Sequence, residues 1–136
     1  RFAESVGLFT EYLKIAPGDA KAWLNVGKAY LGQKDFRQAL GAIAQGLAEG
    51  GGAEREALIR ELLDGGMQAF SSGKYRESID LLREFLKYNK KDIQAYLGLA
   101  KAYWESGERG KALDAFKEVL QLDPRHEEAL RYLLRR

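Results

Sequence analysis

The sequence contains no cysteine and only two prolines among its 136 residues. Without cysteine, the chain can form neither a disulfide nor a thiolate metal site, and its redox compartment stays open. Pro17 and Pro124 both lie between segments of helical periodicity, where a proline does not break a helix. The scarcity of proline and the lack of a sustained alternating pattern favour an all-α protein.

A strong charge of one sign and long apolar runs are also missing. The 22 basic and 20 acidic residues give a formal net charge of +2, so no strong overall field directs the chain toward nucleic acid. No apolar run approaches the roughly 18 residues that a membrane span requires. Apolar residues make up 46% of the chain and charged residues 31%, which is typical of a folded domain rather than a disordered segment.

The chain repeats itself at a regular interval, with one longer interval in the middle. The short step leads from Phe2 to Phe36, and it also relates Leu13 to Leu47, Gly73 to Gly107, and Leu86 to Leu120. The long step leads from Gly27 to Gly66. We expect its additional residues near Gly50, where the chain turns and the next helix begins early. A fixed period of about 34 residues indicates stacked supersecondary units that bury apolar surface against their neighbours.

Within this period, the residues resemble those of the tetratricopeptide repeat. The pattern of that family is Trp-x2-Leu-Gly-x2-Tyr, followed by Ala-x3-Phe and then Pro. The first complete copy of the pattern consists of Trp23, Val26, Gly27, Tyr30, Ala39 and Ile43. The second copy matches more weakly, with Leu62, Gly65, Gly66, Ala69, Ser78 and Leu82. The third copy consists of Tyr96, Leu99, Ala100, Tyr103, Ala112, Phe116 and Pro124. The closing proline is absent from the first two copies, which have Gly51 and Lys90 at that place.

The resemblance implies an all-α fold, an α-solenoid in which antiparallel helical hairpins stack into a right-handed superhelix. We expect a single domain over residues 1–136. Its parts are the second helix of a partial repeat (1–18), complete repeats at 20–52, 53–91 (with a longer first helix) and 93–126, and the first helix of a partial or capping repeat (127–136). The expected helices are 2–15, 19–32, 35–48, 53–71, 74–88, 91–105, 109–121 and 125–135. Asp19 and Asp92 each precede an apolar-periodic run, so we expect both to cap a helix N-terminus.

The resemblance also implies that the first helix of each hairpin lines a concave groove. The first-helix residues that packing does not require are Lys21, Leu24, Lys28, Leu31, Arg60, Leu63, Met67, Phe70, Gln94, Leu97, Lys101 and Trp104. Apolar and aromatic side chains recur at equivalent places among them, next to basic ones. Such a surface predicts a protein partner that supplies a peptide or an amphipathic helix with apolar anchors and acidic side chains. Leu24, Leu63 and Leu97 are equally consistent with packing between hairpins.

No residue set in the sequence is typical of catalysis, of metal binding or of a cofactor. The single histidine, His126, precedes two glutamates, and acidic residues in the first turn of a helix are explained by the helix dipole. The segment 107–112 contains glycines and a lysine, but it lacks the spacing and the following Ser or Thr of a phosphate loop. We therefore predict a protein that is not an enzyme and that has no metal or cofactor.

Two other functions are consistent with the pattern. Helical-hairpin arrays of similar period bind single-stranded RNA through stacking and basic side chains, although the balanced charge here argues against nucleic acid. The second function is self-association through the terminal helices, which carry Phe2, Val6, Phe9, Leu130, Leu133 and Leu134. Because the sequence begins inside a repeat, without Met, we expect it to be part of a longer protein. Its compartment stays open between the cytoplasm and the bacterial periplasm.

Overall fold

The computed structural model describes residues 2–16, 18–50 and 52–135, and it is helical almost throughout these ranges. The helices are α1 (Phe2–Ile15), α2 (Ala20–Gly32), α3 (Phe36–Ala48), α4 (Arg55–Ser71), α5 (Tyr75–Tyr88), α6 (Ile93–Glu105), α7 (Arg109–Leu122) and α8 (Glu127–Arg135). A short 3-10 helix, Gly52–Glu54, precedes α4, and the described ranges contain no strand. All helix ends lie within two residues of the predicted ones, and the all-α prediction is confirmed.

Side chains at the helix N-termini explain where several helices begin. The Asp19 carboxylate accepts a hydrogen bond from the Ala22 amide at 3.1 Å, and Asp92 accepts one from the Ala95 amide at 2.9 Å. Both aspartates were predicted to be caps. The start of α8 uses a different group, because Nδ1 of His126 accepts from the Ala129 amide at 3.3 Å. Each of these bonds satisfies a backbone donor that has no partner inside the helix.

The turns inside the three complete hairpins share one backbone geometry. Each contains a residue in the left-handed region, with φ of 61° at Lys34, 77° at Gly73 and 91° at Gly107. The following amide then donates to a carbonyl five residues back, from Asp35 to Tyr30 in the first turn at 2.9 Å. This arrangement closes a helix C-terminus and turns the chain sharply, and glycine adopts it at the least cost.

Tertiary contacts divide the chain into two compact units, Arg1–Gly65 and Gly66–Arg136, with the division inside α4. In the first unit, α2 packs closely against α3. A Cβ atom added at Gly27 would stand 2.7 Å from Cγ1 of Ile43, closer than two carbon atoms can approach. The buried side chains of Leu13 and Val26 form a core with Ala42, so α1 packs against the same hairpin.

The second unit contains the end of α4 and the helices α5 to α8. A Cβ atom at Gly66 would stand 2.7 Å from Cγ of Leu82, so this glycine lets α4 and α5 approach. The buried Ser78 hydroxyl donates to the Gly66 carbonyl at 2.7 Å, which pairs the only buried polar side chain among the described residues. Phe116 of α7 is fully buried. None of the helices in the described ranges combines the length and the apolar character needed to cross a bilayer.

Candidate functional site

The first helices of the complete hairpins, α2, α4 and α6, carry the twelve predicted binding residues. Lys21, Lys28, Arg60 and Gln94 are exposed, whereas Leu63, Met67, Phe70, Lys101 and Trp104 are half-buried. Leu24, Leu31 and Leu97 are buried, so these three serve packing. The exposed members of the predicted set are therefore three cations and one amide, whereas its apolar members are half-buried or buried.

Within the predicted set, the exposed cations of the first unit lie on α2 and on the first half of α4. Lys28 is close enough to Glu61 for its charge to affect that carboxyl group. Burial is the main cause that raises the pKa of Glu61 above its ordinary value. The positive charge of Lys28 opposes this shift, and the negative charge of Asp64 adds to it. The part of the surface that α2 and α4 contribute to this unit thus mixes exposed cations with a carboxylate that ionises reluctantly.

In the second unit, Lys101 and Trp104 of α6 already have partners on α8. The Lys101 ammonium forms an ion pair with Glu128 at 2.6 Å. The Trp104 ring meets the Tyr132 ring edge-on, with 5.1 Å between centroids, and the Arg109 guanidinium stands 4.2 Å from the Trp104 centroid. Both residues are accessible only in part, because α8 lies against this face of α6.

Tyr132 is the residue of this face that the sequence reasoning missed. Its ring stacks on Phe116 of α7 with 4.4 Å between centroids, while its edge is near Trp104. The equivalent places in earlier repeats hold Gly98, Asp64 and Asn25, so the repeat pattern gave no signal for an aromatic residue. Phe70, by contrast, packs on Tyr75 of its own hairpin at 5.4 Å.

A cavity in the first unit lies between α1 and α2 and has a volume of about 360 Å³. The cavity is lined by Leu8, Tyr12, Asp19, Lys21, Ala22 and Asn25. Of these residues, only Lys21 belongs to the predicted partner-binding set. The Tyr12 hydroxyl donates to Oδ2 of Asp19 at 2.7 Å. That hydrogen bond raises the pKa of Tyr12 and lowers the pKa of Asp19 relative to their ordinary values.

A second cavity, of about 260 Å³, lies between α6 and α7 in the second unit. Tyr96 and Tyr103 line it together with the carboxylates of Asp114 and Glu118. Burial, with a contribution from Glu118, raises the pKa of Tyr96 above its ordinary value. None of the twelve predicted residues borders this cavity.

Self-association through apolar side chains of the terminal helices was one function considered from the sequence, and no metal site was predicted. Leu130 and Leu134 of α8 are exposed and Leu133 is half-buried, while the side chains of Phe2, Val6 and Phe9 lie outside the described residues. Within the described ranges, no three His, Cys, Asp or Glu side chains come together as a metal site would require.

The sequence and the structure were also compared with known proteins. One family model of the tetratricopeptide repeat matches residues 69–136, half of the chain, and a second one matches residues 1–57. Anaphase-promoting complex subunit 3 of Dictyostelium discoideum is 37% identical over 65 residues. That match covers 48% of this chain but only 7% of the length of that relative.

Two solved structures illustrate the likeness in three dimensions. MamA superimposes with a TM-score of 0.58 and 20% identity, over 96% of this chain and 74% of that one. YrrB superimposes with a TM-score of 0.57 and 17% identity, over 94% of this chain and 63% of that one. At such identities, the likeness establishes a shared helical-repeat fold.

Proposed function

The chain belongs to the tetratricopeptide repeat family, and from this membership we propose that it binds other proteins and is not an enzyme. The supporting observation is a basic patch, which we define as Lys28 of α2 and Arg60 of α4. Both side chains are exposed, and neither forms an ion pair with a described residue. Unpaired cations on a repeat surface favour a ligand that brings its own carboxylates.

The repeat register strengthens the argument for the basic patch. In the repeat register, Lys28 corresponds to Lys101, and Arg60 corresponds to Glu128. The second unit therefore has an ion pair, 2.6 Å long, at the place where the first unit has two cations. A carboxylate of the ligand would be attracted to these cations, as Glu128 is to Lys101 in the second unit.

We propose that the ligand is a peptide or an amphipathic helix with acidic side chains. Beside the basic patch, Lys21 offers a third exposed cation and Leu63 a half-buried apolar contact. YrrB is described as a tetratricopeptide repeat protein with an unusual peptide-binding site, and the Dictyostelium relative is named as a subunit of a complex. Both descriptions are consistent with protein binding as the activity of this chain.

For the second unit, the proposed partner-binding residues are Met67, Phe70 and Gln94. Lys101 and Trp104 contribute less, because Glu128 and Tyr132 already contact them. The same contacts weaken the alternative of single-stranded RNA binding. A base would stack on an open aromatic face, and the Arg109 guanidinium covers one face of Trp104.

The test is a cross-linking pull-down from extracts of the source cell with two matched variants. Lys28→Glu/Arg60→Glu reverses both charges of the basic patch. Arg37→Glu/Lys74→Glu is the control, because it changes the net charge equally at two exposed residues outside the first helices. We expect the control to retain the proteins that the unmodified chain captures, and the patch variant to lose them.

Capture of the same proteins by all three forms would refute the role of the patch. Loss with both variants would show that net charge, rather than this surface, determines binding. Circular dichroism of the variants confirms that each is folded, which we expect because all four substituted side chains are exposed.

A further inference from the structure

The cavity between α6 and α7 lies within the second unit, and the helices on either side of this hairpin are both described. The preceding helix, α5, contacts α6 through Leu82, whose Cδ1 would stand 3.1 Å from a Cβ atom added at Gly98. The following helix, α8, contacts α7 where Tyr132 stacks on Phe116. Neither helix contributes a described residue to the lining. The cavity of about 260 Å³ is therefore open although both neighbouring helices are in place.

The carboxylates of the cavity lie on the side of α7 that points away from α8. At about 100° per residue, Asp114 and Glu118 each stand about 160° from Phe116 around the helix axis. The equivalent residues of α5 are Asp80, which is exposed, and Glu84, which is half-buried, although a complete hairpin follows them. Asp114 is likewise exposed and Glu118 half-buried. Their accessibility is therefore a property of this face of the hairpin.

Two tyrosines of α6 form the opposite wall of the cavity. Tyr96 is half-buried, and its pKa is raised by burial and by the nearby charge of Glu118. Tyr103 is only 7% exposed, and its hydroxyl has no hydrogen-bond partner among the described residues. Fully enclosed polar side-chain atoms all have partners in this part of the chain, so the hydroxyl is accessible from the cavity. It is available to a group that enters there.

The charge of the cavity is mainly negative. Lys111 is the only cation among the described residues of the lining, and Glu108 pairs with its ammonium at 3.2 Å. Asp114 and Glu118 form no ion pair with a described residue. They stand at i and i+4 on one helix, where two like charges repel each other. A cation that entered the cavity would offset this repulsion.

Among the complete hairpins, the third alone combines aromatic rings with carboxylates at these places. The first hairpin has two rings and no carboxylate, since its equivalent residues are Trp23, Tyr30, Gly41 and Gln45. The second hairpin has two carboxylates and no ring, since its equivalent residues are Leu62, Ala69, Asp80 and Glu84. The combination is therefore not required by the packing of a hairpin.

We propose that this cavity binds an arginine side chain of a partner protein. A guanidinium group donates five hydrogen bonds and accepts none, which suits two carboxylates and a free tyrosine hydroxyl. It also stacks on aromatic rings, and the chain already has such a pair, with the Arg109 guanidinium 4.2 Å from the Trp104 ring centroid. The site is opposite in charge to the basic patch, so it serves a different, basic segment of a partner.

The experiment titrates the full chain with small probes that differ in the head of the side chain. The probe is N-acetyl-arginine amide, and binding is followed by NMR of the tyrosine rings. N-acetyl-lysine amide replaces the guanidinium with an ammonium, and N-acetyl-citrulline amide removes the charge. We expect the arginine probe to shift the Tyr96 and Tyr103 signals at millimolar concentrations. It should bind about fivefold or more tightly than either control.

Two variants with the same change of charge assign the site. Asp114→Asn/Glu118→Gln removes both carboxylates of the cavity, and it should weaken the arginine probe by about fivefold or more. Asp80→Asn/Glu84→Gln makes the same change in α5, where the rings are missing, and it should leave the affinity unchanged. All four side chains are exposed or half-buried, so both variants should melt like the unmodified chain.

The proposal is overturned if the arginine probe shifts neither tyrosine ring, if a control probe binds equally well, or if both variants weaken binding equally. Tighter binding of free arginine than of the amide would also overturn it, because the ligand would then be an amino acid. So would a dimer of the unmodified chain that Asp114→Asn/Glu118→Gln dissociates, because a second copy would then fill the cavity. Lys28 and Arg60 are unchanged in all these forms, so the outcome is independent of the test of the basic patch.

Discussion

At the scale of single residues, the hairpin turns show how one backbone conformation selects its side chain. Lys34, Gly73 and Gly107 occupy equivalent left-handed positions, each followed by an amide that bonds a carbonyl of the preceding helix. In this region, a side chain brings Cβ close to the carbonyl oxygen that follows, which costs about 1–2 kcal/mol. Lys34 is the only non-glycine residue with positive φ among the described residues, so the first turn retains strain that the other two avoid.

Replacing Lys34 with glycine should therefore stabilise the protein. Glycine removes the steric cost but loses more freedom on folding, so we expect a net gain of about 0.5–1 kcal/mol. Urea denaturation measures the difference. The reciprocal substitution, Gly73→Lys, should destabilise the protein by a similar amount. Equal midpoints for Lys34→Gly and the unmodified chain would contradict this account of the turn.

At the scale of secondary-structure elements, α8 packs against α6 and α7 through contacts that the repeat pattern did not predict. Tyr132 lies between Phe116 of α7 and Trp104 of α6, and Glu128 pairs with Lys101. A helix of nine residues is too short to be stable alone in water. Its helical form therefore depends on these contacts, and the contacts in turn cover part of α6.

Removing the Tyr132 ring should destabilise the second unit substantially. We expect Tyr132→Ala to cost about 2–3 kcal/mol, because a stacked aromatic pair and partly buried apolar surface are both lost. Leu134→Ala, on the same helix but at an exposed side chain, should change stability by less than about 0.5 kcal/mol. Urea denaturation followed by circular dichroism distinguishes them. Equal effects of the two substitutions would show that α8 packs more loosely than the ring geometry indicates.

The helices were predictable from the sequence because several equivalent residues recur at the same spacing in each repeat. Gly27 recurs as Gly66, and Asp19 and Asp92 each precede an apolar run, so the predicted helix ends lie within two residues of the observed ones. The binding surface was less predictable. Periodicity alone cannot distinguish an exposed leucine from a buried one, and Leu24, Leu31 and Leu97 proved to be buried. Contacts unique to one repeat, such as those of Tyr132, have no repeated signal to detect.

At the scale of the whole molecule, charge balance determines how binding should respond to salt. The net charge of +2 produces no strong overall field, so the proposed interaction depends on a few local cations. Those cations are exposed and are partly screened at physiological ionic strength, where the Debye length is about 8 Å. Apolar contacts must supply the remainder of the affinity, and they do not weaken with salt.

We therefore expect affinity for the partner to fall by less than about tenfold between 50 and 200 mM salt. Binding of a nucleic acid through 6–10 phosphates would fall by about 10³–10⁵ over the same range. Titration of the captured partner at the two salt concentrations decides between them. A loss on the larger scale would favour the single-stranded RNA alternative.

The shared geometry of the hairpin turns also has a consequence for the gene. Residues 75–108 form a segment one short step long, which begins after the turn at Gly73 and ends with the turn at Gly107. Duplicating the codons of this segment would join Glu108 to a second Tyr75, and that junction would have the same left-handed glycine as the original. Insertion or deletion of such a segment would thus lengthen or shorten the protein by one whole hairpin without requiring a new loop.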